Sequence, residues 1–433
     1  MTAIPWLGPV RYPIGAARYA FDITLGKMFQ ASPSRSSDVE VPYFKSVSVQ
    51  WNGIQANQEI RMWAAPSEFR ELAVRTGDLL ICEGGDVGRA AIYDGPDGFI
   101  FEKSVHRARP VNGSDTRYLW YVLRALHGSE WLDVLCNKAT IRHLTGEKLG
   151  ALEIPMPPQE EQRRIADFLG AETARIDALL AKRSQQRDLL KERHLAALAD
   201  CVSSHQVGSY MHPLAGAVSN QWQIMQLRRV LPAVNVGVVI NPSTYFTDDG
   251  VPFIHGFNVR SGWIDKNGMK FMSKVSNEKL SRSRLYAGDV LVVRAGAPGR
   301  SAVVTDEFEG ANCASVLILR KGQRVLPEFL SAFINSPAGR GQVKISQYGA
   351  AQEVISAAQT LSFEIPVPDM PEQRRRVSKM NRVVESLNLL SQKINDQVAL
   401  LTERRQTLIT AAVTGQFDVS TASGRNVTDG VTA

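Results

Sequence analysis

The segment IPMPPQEEQRR, Ile154 to Arg164, decides the fold because it occurs twice. The second copy, IPVPDMPEQRR, runs from Ile365 to Arg375, so it begins 211 residues downstream (365 − 154). In each copy the Ile-Pro-x-Pro part is extended, since the residue before a proline is disfavoured in the α region. A long run with few helix breakers follows at once. Each copy therefore predicts the end of a folded domain and the start of a long helix.

Other segments keep this offset. GDLLICEGGDVGRAA, Gly77 to Ala91, aligns without gaps with GDVLVVRAGAPGRSA, Gly288 to Ala302. At an offset of 210 residues, one less than the other segments, VPYFKSVSVQ (Val41 to Gln50) resembles VPFIHGFNVR (Val251 to Arg260). A register kept over so much of each half indicates a tandem duplication of a globular unit followed by a long helix.

Each globular half is predicted to be mixed, β-rich α/β structure, because short apolar runs alternate with glycine and aspartate turns. The predicted strands are Leu79–Cys82, Ala90–Tyr93 and Phe99–Phe101 in the first half, and Val290–Val293 and Ser301–Thr305 in the second. A helix is predicted over Thr116–Leu126, and its counterpart begins near Pro327, a suitable first-turn residue.

The two long helices are predicted to pair with other helices. In the second, apolar residues recur about every 3.5 residues from Met380 to Leu408, the period of a coiled coil, and the first helix has a weaker version. A helix of about 40 residues is about 60 Å long, which suits a spacer. The predicted division is a first domain (1–157), a first long helix (158–201), a linker (202–221), a second domain (222–368), a second long helix (369–415) and a mobile tail (416–433).

Composition narrows the class of protein. The net charge of +7 favours a polyanionic partner without establishing one. No run approaches the roughly 18–20 apolar residues of a membrane span, and prolines near the N-terminus do not fit an export signal. The cysteines lie far apart, so we expect free thiols in a reducing cytosol and a cytoplasmic protein; they are Cys82, Cys136, Cys201 and Cys313.

The sequence shows no catalytic motif. It lacks a P-loop and a dinucleotide-binding glycine motif, and its histidines have no metal-ligand spacing, so we expect no cofactor and no metal. NPSTY, Asn241 to Tyr245, superficially resembles the Asn-Pro-Pro-Tyr site of adenine methyltransferases but lacks the second proline and a glycine-rich cofactor loop. Glu83 and Asp86 form either a carboxylate pair or part of a variable loop, and the second copy favours the loop because Arg294 and Ala297 stand there.

The repeated glycines of the Gly-Asp block favour a structural role over a functional one. Arg89 and Arg300 differ, because both copies place an arginine directly after the turn. For these two arginines, a phosphate contact and a surface ion pair are equally favoured.

The twin helix starts, Pro155 to Arg164 and Pro366 to Arg375, each follow a GD-[LV]-L block. With these repeated motifs, the chain resembles the DNA-specificity subunit of a type I restriction–modification system over roughly residues 18 to 415. The resemblance implies two target recognition domains separated by two long antiparallel coiled-coil helices, in a pseudo-two-fold tandem repeat. Each domain would read one half of a split sequence in double-stranded DNA, and the helices would fix the unread gap.

The resemblance also implies the partners. Two modification (methyltransferase) subunits and, in the full complex, two restriction (translocase/endonuclease) subunits carry the catalysis, so this chain is expected not to be an enzyme. Because the two halves have diverged, we expect an asymmetric target. An alternative is a non-catalytic protein-interaction scaffold with paired domains on a coiled-coil spacer; the absence of neighbouring methyltransferase and translocase genes would favour it. A self-sufficient enzyme is disfavoured.

Candidate contacts are polar residues on variable loops, where base edges and phosphates would be read. The DNA-binding candidates are Lys45, Ser46, Gln50, Arg61, Arg89, Lys138 and Arg142 in the first half, and Asn258, Arg260, Lys270, Arg294, Arg300, Gln347, Tyr348 and Gln352 in the second. The repeated helix starts place arginines at the positive end of a helix, an unfavourable arrangement that suggests a partner. The partner-binding candidates are Glu161, Gln162, Arg163, Arg164, Glu372, Gln373, Arg374 and Arg375.

Overall fold

A computed structural model describes residues 2–129, 131–136, 142–205, 207–239, 242–347 and 354–419. The chain divides into two compact units. The first consists of residues 1–183 and 396–433, and the second of residues 184–395. Each unit therefore contains one globular domain and a part of each long helix.

The first unit is rich in short strands. Its strands are β1 (Thr2–Ile4), β2 (Gly8–Val10), β3 (Ile14–Ala16), β4 (Phe21–Leu25), β5 (Val39–Phe44), β6 (Val49–Gln50), β7 (Gly53–Ile54), β8 (Arg61–Ala64), β9 (Leu79–Cys82), β10 (Ala90–Ile92), β11 (Ile100–Phe101), β12 (Val105–Pro110) and β13 (Glu153–Pro155). Its domain helices are α1 (Pro66–Leu72), α2 (Thr116–His127), α3 (Trp131–Leu135) and α4 (Gly146–Ala151), after which α5 (Gln159–Val202) begins.

The second unit repeats this plan. Its strands are β14 (Ser209–His212), β15 (Gly216–Ser219), β16 (Gln223–Gln226), β17 (Val234–Val236), β18 (Phe246–Thr247), β19 (Val251–His255), β20 (Lys270–Met272), β21 (Val290–Val293), β22 (Ser301–Val303), β23 (Asn312–Ala314), β24 (Val316–Leu319) and β25 (Glu364–Val367). Its domain helices are α6 (Lys274–Lys279), α7 (Pro327–Asn335), α8 (Pro337–Gln347) and α9 (Ala357–Leu361), and α10 (Met370–Val413) follows.

The same four-stranded sheet occurs in both units. Its order is β10-β9-β12-β4 in the first unit and β22-β21-β24-β17 in the second, with antiparallel neighbours throughout. A smaller sheet pairs two strands in parallel in each unit, β11 with β5 and β23 with β19. The matching strand order confirms the mixed α/β fold and its duplication.

The central strand of each large sheet separates two apolar cores. In β9, Leu79 and Ile81 point into one core, whereas Leu80 and Cys82 point into the other. Alternate side chains of a strand lie on opposite faces, so a strand buried on both faces must be apolar at every position. The continuous runs LLIC and VLVV, fully buried in β9 and β21, meet this requirement.

Both long helices have 44 residues and begin and end within two residues of the predicted bounds. Within the first unit, Phe168 contacts Phe417 with ring centroids 5.4 Å apart, and Asp177 pairs with Arg405 at 2.6 Å. Within the second unit, Asp200 near the end of α5 pairs with Lys379 near the start of α10 at 2.8 Å. The helix parts therefore run antiparallel in each unit.

Two predicted boundaries need correction. Residues 209–219 of the predicted linker form the β14–β15 hairpin, because Ala215 and Val218 are buried. At the predicted mobile tail, Phe417 and Val419 pack against the core of the first unit. Residues 420–433 lie outside the described part of the chain.

Two further expectations concern the cysteines and the membrane. All four cysteines are free and buried, which confirms the prediction of free thiols. Among the described helices, none combines the length and apolar character that crossing a membrane requires.

Candidate nucleic-acid interface

Loops from distant parts of the first unit meet beyond the end of β9. We call residues 45–50, 83–89, 102–104 and 142–144 the first loop cluster. The Leu144 amide donates to the Glu83 carbonyl at 2.9 Å, and the Ser46 amide donates to the Ser104 hydroxyl at 3.0 Å. These bonds hold the segments together, so the cluster presents one surface built from four loops.

Arg89 links two of these loops. Its guanidinium pairs with Asp86 at 3.1 Å and donates to the Ser46 carbonyl at 3.0 Å, and only 17% of the side chain is exposed. The sequence favoured a phosphate contact and an ion pair equally for Arg89, and the structure shows the ion pair, with Asp86. Ser46, another predicted DNA contact, accepts this hydrogen bond through its backbone carbonyl.

Two histidines accompany the carboxylates of this cluster. His143 Nδ1 lies 3.0 Å from Glu83 Oε2, and His127 Nε2 lies 3.0 Å from Asp86 Oδ1. The two carboxylates are thus paired separately. Sequence reasoning missed both histidines, because each partner is at least 41 residues away along the chain.

The second unit has an equivalent arrangement. We call residues 255–265, 294–300 and 354–356 the second loop cluster. The Ile355 amide donates to the Arg294 carbonyl at 3.1 Å, the same bond that joins Leu144 to Glu83. Because this backbone frame is duplicated, Glu83 and Arg294 occupy equivalent places with opposite charges.

Asn258 was predicted to contact DNA, and that prediction is wrong for this conformation. The side chain is fully buried: its oxygen accepts from the His255 amide, and its nitrogen donates to the Asp265 and Asn267 carbonyls. The side-chain amide of Asn258 therefore links the two ends of its own loop by hydrogen bonds. Two aromatic residues on the same loop are exposed instead, namely Phe257 (55%) and Trp263 (53%). The prediction missed them because it considered only polar side chains.

Several predicted arginines already pair with neighbouring carboxylates. Arg142 pairs with Asp133 at 2.9 Å, and Arg260 pairs with Asp265 at 3.0 Å. Arg61 donates to the Glu40 carbonyl at 2.7 Å. The side chains of Arg142 and Arg260 are still about half exposed, so surface pairs of this kind leave them accessible.

The other predicted contacts vary in exposure. Lys270 is exposed, and the structure places the following residues at intermediate exposure: Lys45, Gln50, Arg294, Arg300 and Gln347. Gln50 donates to the Val47 carbonyl at 3.0 Å. Lys138, Tyr348 and Gln352 lie outside the described residues and stay predictions.

The repeated glycines have the structural role that the sequence favoured. Gly77 and Gly288 have φ values of +90° and +89°, a conformation that glycine adopts without strain. The aspartates that follow them are buried: Asp78 pairs with Arg109 at 2.7 Å, and its counterpart pair in the second unit has the same form. The Gly-Asp block is therefore a turn with a buried ion pair.

The partner-binding candidates divide into two groups. Gln162 and Gln373 are buried, which corrects their predicted role. Gln162 accepts from the Asp115 amide at 3.0 Å and donates to the Pro157 carbonyl at 2.9 Å. Each glutamine therefore joins the start of a long helix to the start of a domain helix.

Gln373 makes the equivalent two contacts in the second unit and a third to the Arg324 carbonyl. Its oxygen accepts from the Leu326 amide at 2.8 Å, and its nitrogen donates to the Arg324 and Pro368 carbonyls at 2.9 Å. Leu326 immediately precedes α7 just as Asp115 precedes α2.

The charged candidates lie on the outside of the helix starts. Glu161 pairs with Arg164 at 3.0 Å, and Glu372 pairs with Arg375 at 2.7 Å. These pairs place a carboxylate beside each arginine at the positive end of the helix. The remaining candidates, Arg163 and Arg374, are exposed. Burial and the nearby Glu161 raise the pKa of Tyr12 to about 12, so its hydroxyl is a donor to that carboxylate.

Metal ligands are not grouped in the described residues: no cluster of three or more histidine, cysteine, aspartate or glutamate side chains is placed to hold an ion.

Comparisons with known proteins find similar sequences and a similar fold. Residues 21–186 match the model of the type I restriction modification DNA specificity domain. The chain is 21% identical over 296 residues to the type I restriction enzyme EcoBI specificity subunit of Escherichia coli, covering 65% of this chain and 62% of the relative. It is 22% identical over 286 residues to the EcoKI specificity subunit of Escherichia coli (strain K12), covering 64% of this chain and 61% of the relative.

The chain thus spans about three fifths of the length of these two relatives. A chain solved in work on complex assembly and conformational transition of the type I R-M system has the same fold. It superposes with a TM-score of 0.68 at 16% identity, covering 96% of this chain and all of that one. The family resemblance found in the sequence is confirmed.

Proposed function

We propose that this chain, which belongs to the family of type I restriction–modification specificity subunits, recognises a two-part DNA sequence for a methylating and cleaving complex. The observation that carries this proposal is the pair of loop clusters. They share a backbone frame, including the amide bonds of Leu144 and Ile355, but present different side chains. A duplicated frame with altered side chains suits the reading of two unlike sequences.

In this proposal, residues 1–157 and 222–368 are target recognition domains. Lysines and arginines mainly bind phosphates, whereas glutamine and a minority of the arginines read base edges. In the second domain, Arg260, Lys270, Arg294 and Arg300 are the basic contacts. In the first, Lys45, Arg61 and Arg142 have this role, and Gln50 reads a base edge. Because Glu83 stands where Arg294 stands in the other copy, the two half-sites differ.

Catalysis would belong to the partners: two modification subunits and, in the full complex, two restriction subunits, acting in the cytoplasm. The exposed Arg163 and Arg374 at the two helix starts are proposed to contact the modification subunits. Gln162 and Gln373 are left out of that surface because they are buried.

Methylation with purified components tests the proposal. The chain is combined with its modification subunits, double-stranded DNA and a methyl donor, and the methylated positions are sequenced. We expect methylation at a two-part target only when both components are present. Methylation by the chain alone would contradict the proposal, and a reconstituted complex that methylates without sequence preference would favour the interaction-scaffold alternative.

A further inference from the structure

A basic groove lies within the second unit. It has a volume of about 640 Å³ and runs between α8 and the parts of α5 and α10 that belong to this unit. Arg187 and Lys191 line it from α5, and Arg340 lines it from α8. None of the described residues that form its lining is acidic. The groove therefore concentrates positive charge.

The hydrogen bonds of Arg340 leave its charge unneutralised. It donates to the Ser261 hydroxyl at 3.0 Å and to the Asn335 carbonyl at 3.1 Å, and both acceptors are neutral. Burial and the nearby Arg300 lower the pKa of Arg340, as expected where cations crowd together. Burial and Arg340 likewise lower the pKa of His194, so this imidazole is neutral near pH 7.

The carboxylate of Asp188 lies near the groove without lining it. Asp188 pairs with Lys191 at 2.8 Å, and both side chains are about two-thirds exposed. Exposed pairs of this kind are weak and readily exchanged for another anion. Lys191 is thus available to a stronger anionic ligand.

The other copy of the repeat lacks these charges. At the offset of 211 residues, the three cations Arg187, Lys191 and Arg340 correspond to the neutral residues Val398, Thr402 and Ser129. Three neutral positions in one copy are therefore basic in the other.

An ion pair of the first unit is also missing from the second unit. In the first unit, Asp177 pairs with Arg405 at 2.6 Å. The corresponding positions in the second unit are Asn388 and His194, both of which line the groove. The first unit thus has a neutralised ion pair where the second unit has no carboxylate. Replacing that pair by Asn388 and His194 leaves the net charge unchanged, whereas the other three positions each gain a positive charge, so the net divergence points to an anionic ligand.

We propose that this groove binds the sugar–phosphate backbone of DNA beside the second half-site, as a contact independent of sequence and without a counterpart in the first unit. The inference rests on the proposed function, because it takes DNA as the ligand. The groove is connected to the second loop cluster, since Arg340 bonds directly to Ser261 of that cluster. Arginine and lysine side chains on such a surface hold phosphates and fix the register of the duplex.

The test replaces the three cations by the residues of the other copy: Arg187→Val, Lys191→Thr and Arg340→Ser. These side chains already occupy the equivalent positions of the fold. The complex with the modification subunits is titrated with a duplex carrying its methylated target, over a range of salt concentrations. Each lost phosphate contact reduces the slope of log K against log salt by about 0.9, so we expect a reduction of about 2–3 with the target sequence unchanged.

A matched control removes three other positive charges from the same unit. Arg228→Ser, Arg229→Ser and Lys279→Thr are exposed positions outside the groove. We expect the control to keep nearly the full salt slope. In addition, Asn388→Asp restores the carboxylate of the first copy and should weaken binding to target and unrelated duplexes by the same factor.

Three results would overturn the inference. Equal slopes for the groove variant and the unsubstituted complex would exclude phosphate binding there, and equal losses in groove and control variants would reduce the effect to net charge. Failure of the groove variant to assemble with the modification subunits would make the groove a protein contact. If the unsubstituted complex bound no target, the proposed function itself would fail, which is a distinguishable outcome.

Discussion

Gln373→Leu removes a buried connection between α10 and the domain before it. The glutamine is fully buried and makes three hydrogen bonds, to the Leu326 amide and to the Arg324 and Pro368 carbonyls. Leucine fills a similar volume but satisfies none of these groups. Each buried group left unpaired costs about 1–3 kcal/mol, and partial relaxation reduces the sum. We expect the second unit to lose about 3–5 kcal/mol of stability.

Hydrogen exchange measured by mass spectrometry can localise this loss. Peptides from α7 report on the second unit, and peptides from α2 report on the first unit in the same sample. A loss of about 3 kcal/mol corresponds to roughly 100-fold faster exchange where opening is limited by the stability of the unit. We expect faster exchange in α7 with α2 unchanged. Gln162→Leu should produce the reverse pattern.

Arg374→Leu is the matched control, because this neighbouring residue is exposed and a surface change of this kind stays within about 0.5 kcal/mol. The reasoning is refuted if Gln373→Leu changes exchange in α7 no more than Arg374→Leu does. Loss of modification-subunit binding with unchanged exchange would instead restore the partner-binding role predicted for Gln373.

Two further predictions concern strain and pH. Gly299 and Gly296 both have φ of +81°, but a Cβ atom at Gly299 would lie 2.7 Å from the Val343 side chain, whereas at Gly296 it would meet nothing within 4 Å. Gly299→Ala should therefore destabilise the second unit by at least about 1 kcal/mol more than Gly296→Ala, and equal urea midpoints would contradict this. The hydrogen bond from Arg375 holds the pKa of Glu372 below its ordinary value, so the stability contributed by this pair is present at neutral pH and is lost as the pH falls through the lowered value. Glu372→Gln should flatten that acid dependence, and identical unfolding curves from pH 7 to pH 3 would argue against the pair.

The regular elements could be predicted because they depend on local signals. The prolines before each long helix, the apolar runs of β9 and β21 and the period of the helix all operate over a few residues. The duplication strengthened each signal by repeating it. This is why helix bounds agree within two residues.

The side-chain partners could not be predicted in the same way. Gln162 and Gln373 look like exposed first-turn residues, and only their long-range bonds reveal them as buried. Both copies of the repeat contain this glutamine, which could have indicated a structural role. We interpreted the repetition as a partner-binding site instead. Asn258 and the β14–β15 hairpin were misjudged for a related reason: burial depends on distant segments, such as the Gln342 side chain that donates to the Leu214 carbonyl.

The most direct measurement is the sequence methylated by the reconstituted complex, compared with that of a variant altered in one loop cluster. Arg260→Ala with Arg294→Ala changes only the second cluster. We predict a two-part, asymmetric target whose specificity relaxes in one half in the variant, while the other half is unchanged. A palindromic target, or equal relaxation of both halves, would contradict the assignment of one half-site to each loop cluster.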